Sequence, residues 1–242
     1  MDIKRNINVC LTADQFEKYT DSKSMVIVVD LLRATTVIST AMHYGVSAII
    51  PVQTVDEALS YKNKDGYIAA AERNAMPLEG FDYGNSPFHY MNDDIKGKTL
   101  VLTTTNGTKA INACSNHNIV VTASFVNLKA VISYAIDRSE DIIVLCSGWK
   151  GLFNLEDSIF SGCLIKELMS TNLFTSNCDS LRACLELSRA AESNLFDYLS
   201  DSSHRRRLKS LNMEDDTRFC LNPDISSSIV PILKDDRLVP NL

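Results

Sequence analysis

The sequence predicts an α/β protein, a three-layer α/β/α arrangement around a mostly parallel sheet, and three observations carry that expectation. Short β-branched runs without polar alternation recur along the chain, the pattern of strands covered on both faces. Helical periodicity and helix-start signals fill the intervals between them, the mark of repeated strand–helix–strand units. The 242 residues, 45% hydrophobic and 22% charged, suffice for a large core within an ordinary globular composition. We expect one compact unit over 1–242. A slight likeness among the strand–loop units at Asp30, Thr103 and Cys146 hints at two similar lobes dividing near 115–118.

Taken in order, Thr12-Ala13-Asp14-Gln15 has the form of a capping box and predicts a short helix reaching Tyr19. Met25–Val29 is an unbroken apolar strand that Asp30 ends; Arg33, Thr35 and Thr36 follow, and 37–44 reads as a helix closed by Gly45. Residues 48–52 form a second strand, and Thr54-x-x-Glu57 opens a helix with another capping box. Asp65-Gly66 turns the chain into a strand over 67–72, at whose end stand Glu72 and Arg73. The connection AMPLEGFDYGNSPF is too rich in Gly and Pro for a helix until Ser86-Pro87, a favourable N-cap and first-turn proline. Thr99–Thr103 is a strand running directly into Thr104-Thr105-Asn106-Gly107-Thr108. Ile119–Ala123 and 141–146 are further strands flanking a helix over 127–136. Ser147-Gly148-Trp149-Lys150-Gly151 is a glycine loop, after which Leu155-Glu156-Asp157 opens an apolar helix to Met169. Helical pattern spans 179–199, and Ser202 or Ser203 begins a helix bearing His204. After Cys220 the chain, with Pro223, Ser226 to Ser228, Pro231 and Pro240, reads as irregular structure and short strand.

Composition excludes some functions. A net charge of -6 argues against a general nucleic-acid surface, which needs clustered cations. The His204 to Arg207 run with Lys209 is followed by Glu214, Asp215 and Asp216 and reads as a solvated helix face. No apolar run approaches a membrane span and the first residues lack a signal segment, so a soluble cytoplasmic protein is expected. Seven scattered cysteines without a C-x-x-C pair indicate reduced thiols rather than disulfides or a zinc site. A homodimer is the expectation from base rates.

In open α/β sheets, ligands sit where strand tips supply side chains and helix starts supply N–H groups. Asp30 with Arg33, and Glu72 with Arg73, repeat one carboxylate-then-arginine arrangement at two strand ends, which suggests a metal-assisted anion site; a capped turn with an internal ion pair explains Asp30 and Arg33 equally. Asp30, Glu72 and Asp157, from three loops after apolar strands, provide enough carboxylate for one Mg²⁺. The helix dipole alone would also account for Glu156 and Asp157. Thr104, Asn106, Gly107 and Thr108 offer hydroxyl and N–H donors for a phosphate, although Asn-Gly is also a tight turn and no Walker pattern is present.

Taken together, VVDLLRATT, AERN with GFDYGNSP, LTTTNGT, CSGWKGLFNLEDS and SSHRRRLKSLNMEDD, in that order, resemble the 2-phosphosulfolactate phosphatase family from about Ile27 to Pro231. The resemblance implies a Mg²⁺-dependent phosphatase that converts 2-phosphosulfolactate to sulfolactate and inorganic phosphate, a step toward coenzyme M. It also implies a fold of its own, distinct from the haloacid-dehalogenase type, whose second aspartate would stand where this chain has Leu32. The chain departs from the family pattern at Ala71, Ala75, Trp149, Arg205 and Asn212, which sets apart the pocket near Trp149 and Arg205.

On this reading Arg33 and Arg73 clamp oxyanions, and Lys150 or Lys109 adds a point charge. Thr35, Thr36, Asn85 and Ser86 join the phosphate-binding group, and His204, by its place in the SSH motif, is the candidate general acid, an ordinary histidine being the alternative. Metal-activated water is the expected nucleophile, with attack by Asp30 as the covalent alternative. Two other classes fit parts of the sequence: a small-anion binding protein without turnover, and a nucleotide-using α/β enzyme, against which the missing glycine fingerprints count.

Overall fold

A computed structural model describes residues 4–19, 21–81, 83–222 and 227–241. Asp82 of the GFDYGNSP motif, and Pro223 and Ser226 of the C-terminal stretch, lie outside the described residues.

The strands are β1 (Arg5–Cys10), β2 (Met25–Val29), β3 (Ala48–Pro51), β4 (Tyr67–Arg73), β5 (Met76–Pro77), β6 (Thr99–Thr103), β7 (Ile119–Ala123), β8 (Ile142–Cys146), β9 (Phe174–Thr175), β10 (Val230–Lys234) and β11 (Arg237–Asn241). They form one sheet in the order β5-β4-β6-β3-β11-β10-β7-β2-β8-β1-β9. The helices are α1 (Ala34–His43), α2 (Val55–Leu59), α3 (Gly107–Ala113), α4 (Leu128–Ile136), α5 (Leu155–Ser170), α6 (Asp179–Ala191), α7 (Leu195–Tyr198), α8 (Ser203–Ser210) and α9 (Glu214–Cys220).

Alternation along the central strands makes the three layers. Met25, Ile27 and Val29 of β2 enter one core with Ile159, Phe160 and Leu164 of α5, while Val26 and Val28 enter another with Val37, Ile38 and Ala41 of α1. Strand β8 divides in the same way, Ile142, Val144 and Cys146 on one side and Ile143 and Leu145 on the other. Each such side chain, fully buried, contributes about 1.5–3 kcal/mol of transfer free energy, so an unbroken apolar run is what a strand covered on both faces requires. The seven cysteines are all free.

Two parallel blocks share the sheet: β4, β6 and β3, and then β7, β2, β8, β1 and β9. The antiparallel hairpin β10–β11 lies between them, antiparallel also to β7 and to β3. Traced through the ladder, the two blocks therefore run in opposite senses. A twist of about 20–25° per strand accumulates over the five steps from β2 to β6 and turns those strands well away from simple opposition. The tips of β2 and β6 meet, with Gly107 packed on Asp30 and Ala34.

The C-terminal segment, expected to be irregular with a short strand, is thus the centre of the sheet. Asp235 and Asp236, at φ 47° and 61°, make the two-residue turn between Lys234 and Arg237. Pro231 and Pro240 face each other in the hairpin, which meets its neighbours at Ile232–Val121 and Leu238–Ile49, so neither proline is itself paired with a neighbouring strand. Three local expectations are also corrected. Thr12 makes no capping bond, and Ala13–Lys18 is a 3-10 helix. Ser86 likewise caps nothing with its side chain, and Pro87–Tyr90 is a single 3-10 turn. The long helix expected over 179–199 stops at Ala191, because Asn194 caps the separate α7 by accepting from Asp197 N–H. The box at Thr54 and Glu57 is made in full.

Candidate active site

The β2–α1 turn is held by its own side chains. The Asp30 carbonyl accepts from the Thr35 N–H and hydroxyl, both at 2.9 Å, and the Thr36 hydroxyl donates to Leu31 O at 2.9 Å. Thr35 and Thr36, expected to bind phosphate, are fully buried turn fasteners instead. Asp30 Oδ1 accepts from Ala34 N–H at 3.2 Å. Its Oδ2 faces Gly107, where an added Cβ would lie 2.8 Å from that oxygen and 2.4 Å from Ala34 Cβ. Glycine is the residue that lets α3 start against this carboxylate. Arg33 does not pair with Asp30: Nη1 donates to Asp216 Oδ1 of α9 at 2.7 Å and Nη2 to Ala75 O at 2.8 Å.

The β8 loop is organised by Asp157, fully buried in the first turn of α5. Its Oδ1 accepts from Leu31 N–H at 2.9 Å; its Oδ2 accepts from Ser147 Oγ at 3.0 Å, Gly148 N–H at 3.3 Å and Asn154 Nδ2 at 3.0 Å. Both oxygens are thereby engaged, and Asp157 joins three segments rather than presenting a ligand to the cavity. Burial, with the charges of Asp30 and Glu156, pushes its carboxyl up to about 8. Burial raises Asp30 to about 6, with the charge of His204 pulling the other way and that of Glu72 adding to the rise.

Helix α8 completes the site. Ser202 caps it by accepting from Arg205 N–H at 3.2 Å. His204 and Arg207, three apart, share one face. The His204 Nδ1 lies 2.7 Å from Glu156 Oε1, and its ring stacks on Trp149 at 6.5 Å and 21°. Burial pulls the imidazole down, but the hydrogen bond and charge of Glu156, reinforced by Asp30 and Asp157, outweigh it and the net shift is upward. Arg205 points elsewhere, with its guanidinium 3.5 Å from the centre of the Phe196 ring.

These elements line a small cavity that opens to solvent. Arg33, His204 and Arg207 supply its cations, Glu72 its carboxylate, and Asn85, Thr105 and Asn106 its neutral polar groups, with Trp149 as an aromatic wall. Glu72 is tied to its own turn by Ala75 N–H. Asp30 and Asp157 are buried beside the cavity rather than in its wall. Arg73 is directed to a neighbouring groove, shared with Thr104, Thr108 and Lys109. There it donates to Glu72 O at 2.7 Å and Thr103 Oγ1 at 3.0 Å, and Lys109 is paired with Asp14 at 2.5 Å. Thr104 and Thr108 bond each other across the β6–α3 turn. Lys150 N–H donates to Asn106 Oδ1 at 3.0 Å while its ammonium lies over Trp149 at 5.1 Å. Ser86 is not in the cavity wall.

Sequence reasoning missed Arg207 and Asp216 as site residues, took Thr105 only as part of the Thr104–Thr108 turn, and weighed Glu156 between metal binding and the helix dipole. Arg207 was legible from its three-residue spacing to His204; Glu156 carried no signal separating it from a dipole-favoured helix start.

The expected Mg²⁺ triad does not assemble: among the described residues no three His, Cys, Asp or Glu side chains are arranged to hold one ion. The donor chemistry nonetheless suits a hard cation. Asn85 Oδ1 and Glu156 Oε2 are buried oxygens without a donor. The carboxylates in and around the cavity, Asp30, Glu72, Glu156 and Asp216, also outnumber the cations Arg33, Arg207 and His204. Mg²⁺ is commonly held by only one or two carboxylates, with substrate oxygens and water completing the shell.

A small cavity combining arginines, an acid-paired histidine and neighbouring carboxylates suits a small phosphorylated anion, and the class is that of the phosphoric monoester hydrolases to which its relatives belong. The chain belongs to the 2-phosphosulpholactate phosphatase family, whose model matches residues 10–236. It is similar to a probable 2-phosphosulfolactate phosphatase of Thermotoga petrophila, 42% identical over 203 residues that cover 84% of this chain and 86% of the relative. Relatives of the same name from Thermotoga maritima and Caldanaerobacter subterraneus subsp. tengcongensis are 41% and 38% identical, covering 84% and 86% of this chain and 86% and 87% of their own. No helix among the described residues is long and apolar enough to cross a membrane.

Proposed function

We propose that this cavity hydrolyses 2-phosphosulfolactate to 3-sulfolactate and inorganic phosphate in a Mg²⁺-dependent reaction, of the kind that serves coenzyme M formation. The observation that carries the reading is His204, held 2.7 Å from the buried Glu156, in the same cavity wall as Arg33. Two of the five Arg33 donors are used by Asp216 and Ala75, which fix the guanidinium and leave three for phosphoryl oxygens. With Nδ1 engaged by Glu156, His204 has Nε2 available to protonate the leaving alkoxide as the P–O ester bond breaks. Asn85, Thr105 and Asn106 orient the ester. Glu72, the carboxylate in the cavity wall, would hold Mg²⁺ together with substrate oxygens and water, and the ion when bound would polarise the phosphoryl group and offset the surplus carboxylate charge. Water is favoured as nucleophile over Asp30, because Asp30 is turned toward Ala34 and Gly107 outside the cavity wall.

The test is phosphate release from 2-phosphosulfolactate, phospholactate and phosphoglycolate with Mg²⁺ and with a chelator. Release that is greatest on the sulfonated ester, stops with the chelator and returns with Mg²⁺ is the expected result. Full activity in the chelator removes the metal from the reading, and folded protein that releases no phosphate from any ester removes the phosphatase.

A further inference from the structure

Resting on the phosphoester hydrolysis proposed above, we infer that Arg207 is the specificity-determining cation of this site, taking the second anionic group of the substrate while Arg33 serves the phosphoryl group. Among the described residues three cationic side chains line the cavity, and two are already partnered: Arg33 by Asp216 and the Ala75 carbonyl, His204 by Glu156. Arg207 differs. Among the described residues its guanidinium makes no hydrogen bond and no ion pair, and its one recorded contact is with the Trp149 ring, at 5.4 Å from the centroid. The side chain is half-buried, so its donors have lost part of their water without gaining an acceptor. A carboxylate or sulfonate in the cavity would restore that balance, and the planar guanidinium fork matches the oxygens of either group.

Position separates the two arginines by role. Arg33 stands on the β2–α1 turn, next to Asp30 and across from Glu72, where phosphoryl chemistry is placed. Arg207 lies one turn along α8 from His204, the group that protonates the leaving oxygen. The alkoxide fragment of the ester therefore faces α8, and any anionic substituent it carries faces Arg207. Trp149, stacked on His204 and lying under Arg207, holds both against one flat wall. The substrate class that follows is the phosphate monoester of a small alcohol bearing at least one further carboxylate or sulfonate. A phosphoester with a neutral substituent would leave Arg207 unpartnered in the complex.

The experiment compares kcat/KM for 2-phosphosulfolactate and for 2-propyl phosphate in the parent protein, in Arg207→Met and in Arg206→Met, the exposed neighbour outside the cavity. The preference for the doubly anionic ester should fall roughly 10- to 100-fold in Arg207→Met, as expected for losing a charged hydrogen-bonded contact, and should keep its parent value in Arg206→Met. Calorimetric titration supplies a second readout independent of turnover: Arg207→Met should weaken 3-sulfolactate binding by a similar factor and inorganic phosphate binding much less. An unchanged preference overturns the assignment, as does an equal loss on both esters or on both titrants. Failure of the phosphatase reading looks different: the parent releases no phosphate from either ester, and the titration alone decides whether Arg207 selects the sulfonated anion.

Discussion

His204 is the residue whose surroundings most directly set its chemistry. Glu156, 1% exposed, gives it both a hydrogen bond and a charge, and these raise its pKa against the effect of burial. A raised pKa keeps the imidazolium populated to higher pH, so an acid-catalysed step should persist through neutrality and fail as pH climbs through the native value. The same pairing stabilises the fold fully below the unfolded histidine pKa and loses that contribution over the same rise. Glu156→Gln should therefore move the alkaline limb of the kcat–pH profile to lower pH, and His204→Ala should cost about 10²–10⁴-fold in kcat; an alkaline limb that stays in place in Glu156→Gln would remove the acid role. Asp30 and Arg33 drew attention in the sequence because they stand at a change from apolar to polar chain, whereas His204 was singled out only by its place in the SSH motif. Hydroxyl direction was not: Thr35 and Thr36 look the same in sequence whether they face a ligand or the backbone. Asp216 was equally hidden, since only packing of α9 onto the β2–α1 turn reveals that this acid belongs to Arg33.

At the scale of elements, the first turn of α5 ties together the loops that leave β2 and β8, neighbours already paired up to Val29 and Cys146. Asp157 accepts from the Leu31 N–H after β2, from Ser147 and Gly148 after β8, and from Asn154 before α5. Asp157→Ala would leave these donors without their acceptor in a fully buried place, at about 1–3 kcal/mol for each group left unsatisfied. A melting temperature lower by roughly 10 °C is expected in thermal unfolding followed by circular dichroism. A variant that melts like the parent yet has lost activity would instead make Asp157 a ligand, as the sequence first suggests. The strands were legible from their β-branched runs because burial on both faces leaves no alternation to misread. Helix starts were less so: Thr54 and Glu57 complete a capping box, whereas the same pattern at Thr12 precedes a 3-10 helix whose geometry does not bring the pair together. The Gly- and Pro-rich connection after Arg73 read correctly as non-helical, but its contribution of Ala75 O to Arg33 and Asn85 to the cavity is tertiary.

Across the whole molecule, the candidate site depends on a hairpin that contributes nothing to it chemically. Strands β1 and β2 pair with β7 and β8 while β3, β4 and β6 form the other block, so chain segments before and after 115–118 interleave. The blocks are joined in the sheet through β10 and β11, and the Arg33–Ala75 and Asp30–Gly107 contacts require both blocks to be fixed. The hairpin's place was illegible because prolines at 231 and 240 argue against a central strand in any local reading, and only the sparse pairing of the hairpin with β7 and β3 makes them tolerable. Removing residues 230–241 should expose the facing edges of β7 and β3 and two apolar cores at once. The truncated chain is expected to lose cooperative thermal unfolding and to aggregate at concentrations where the full chain stays dispersed, as read by circular dichroism and light scattering. If it instead melts cooperatively near the parent temperature, the blocks are held by their helical layers and by the site contacts themselves. If the hairpin is the tie, supplying residues 230–241 as a separate peptide should restore both the melting transition and phosphate release, because the peptide would then be completing a sheet and, through it, the cavity.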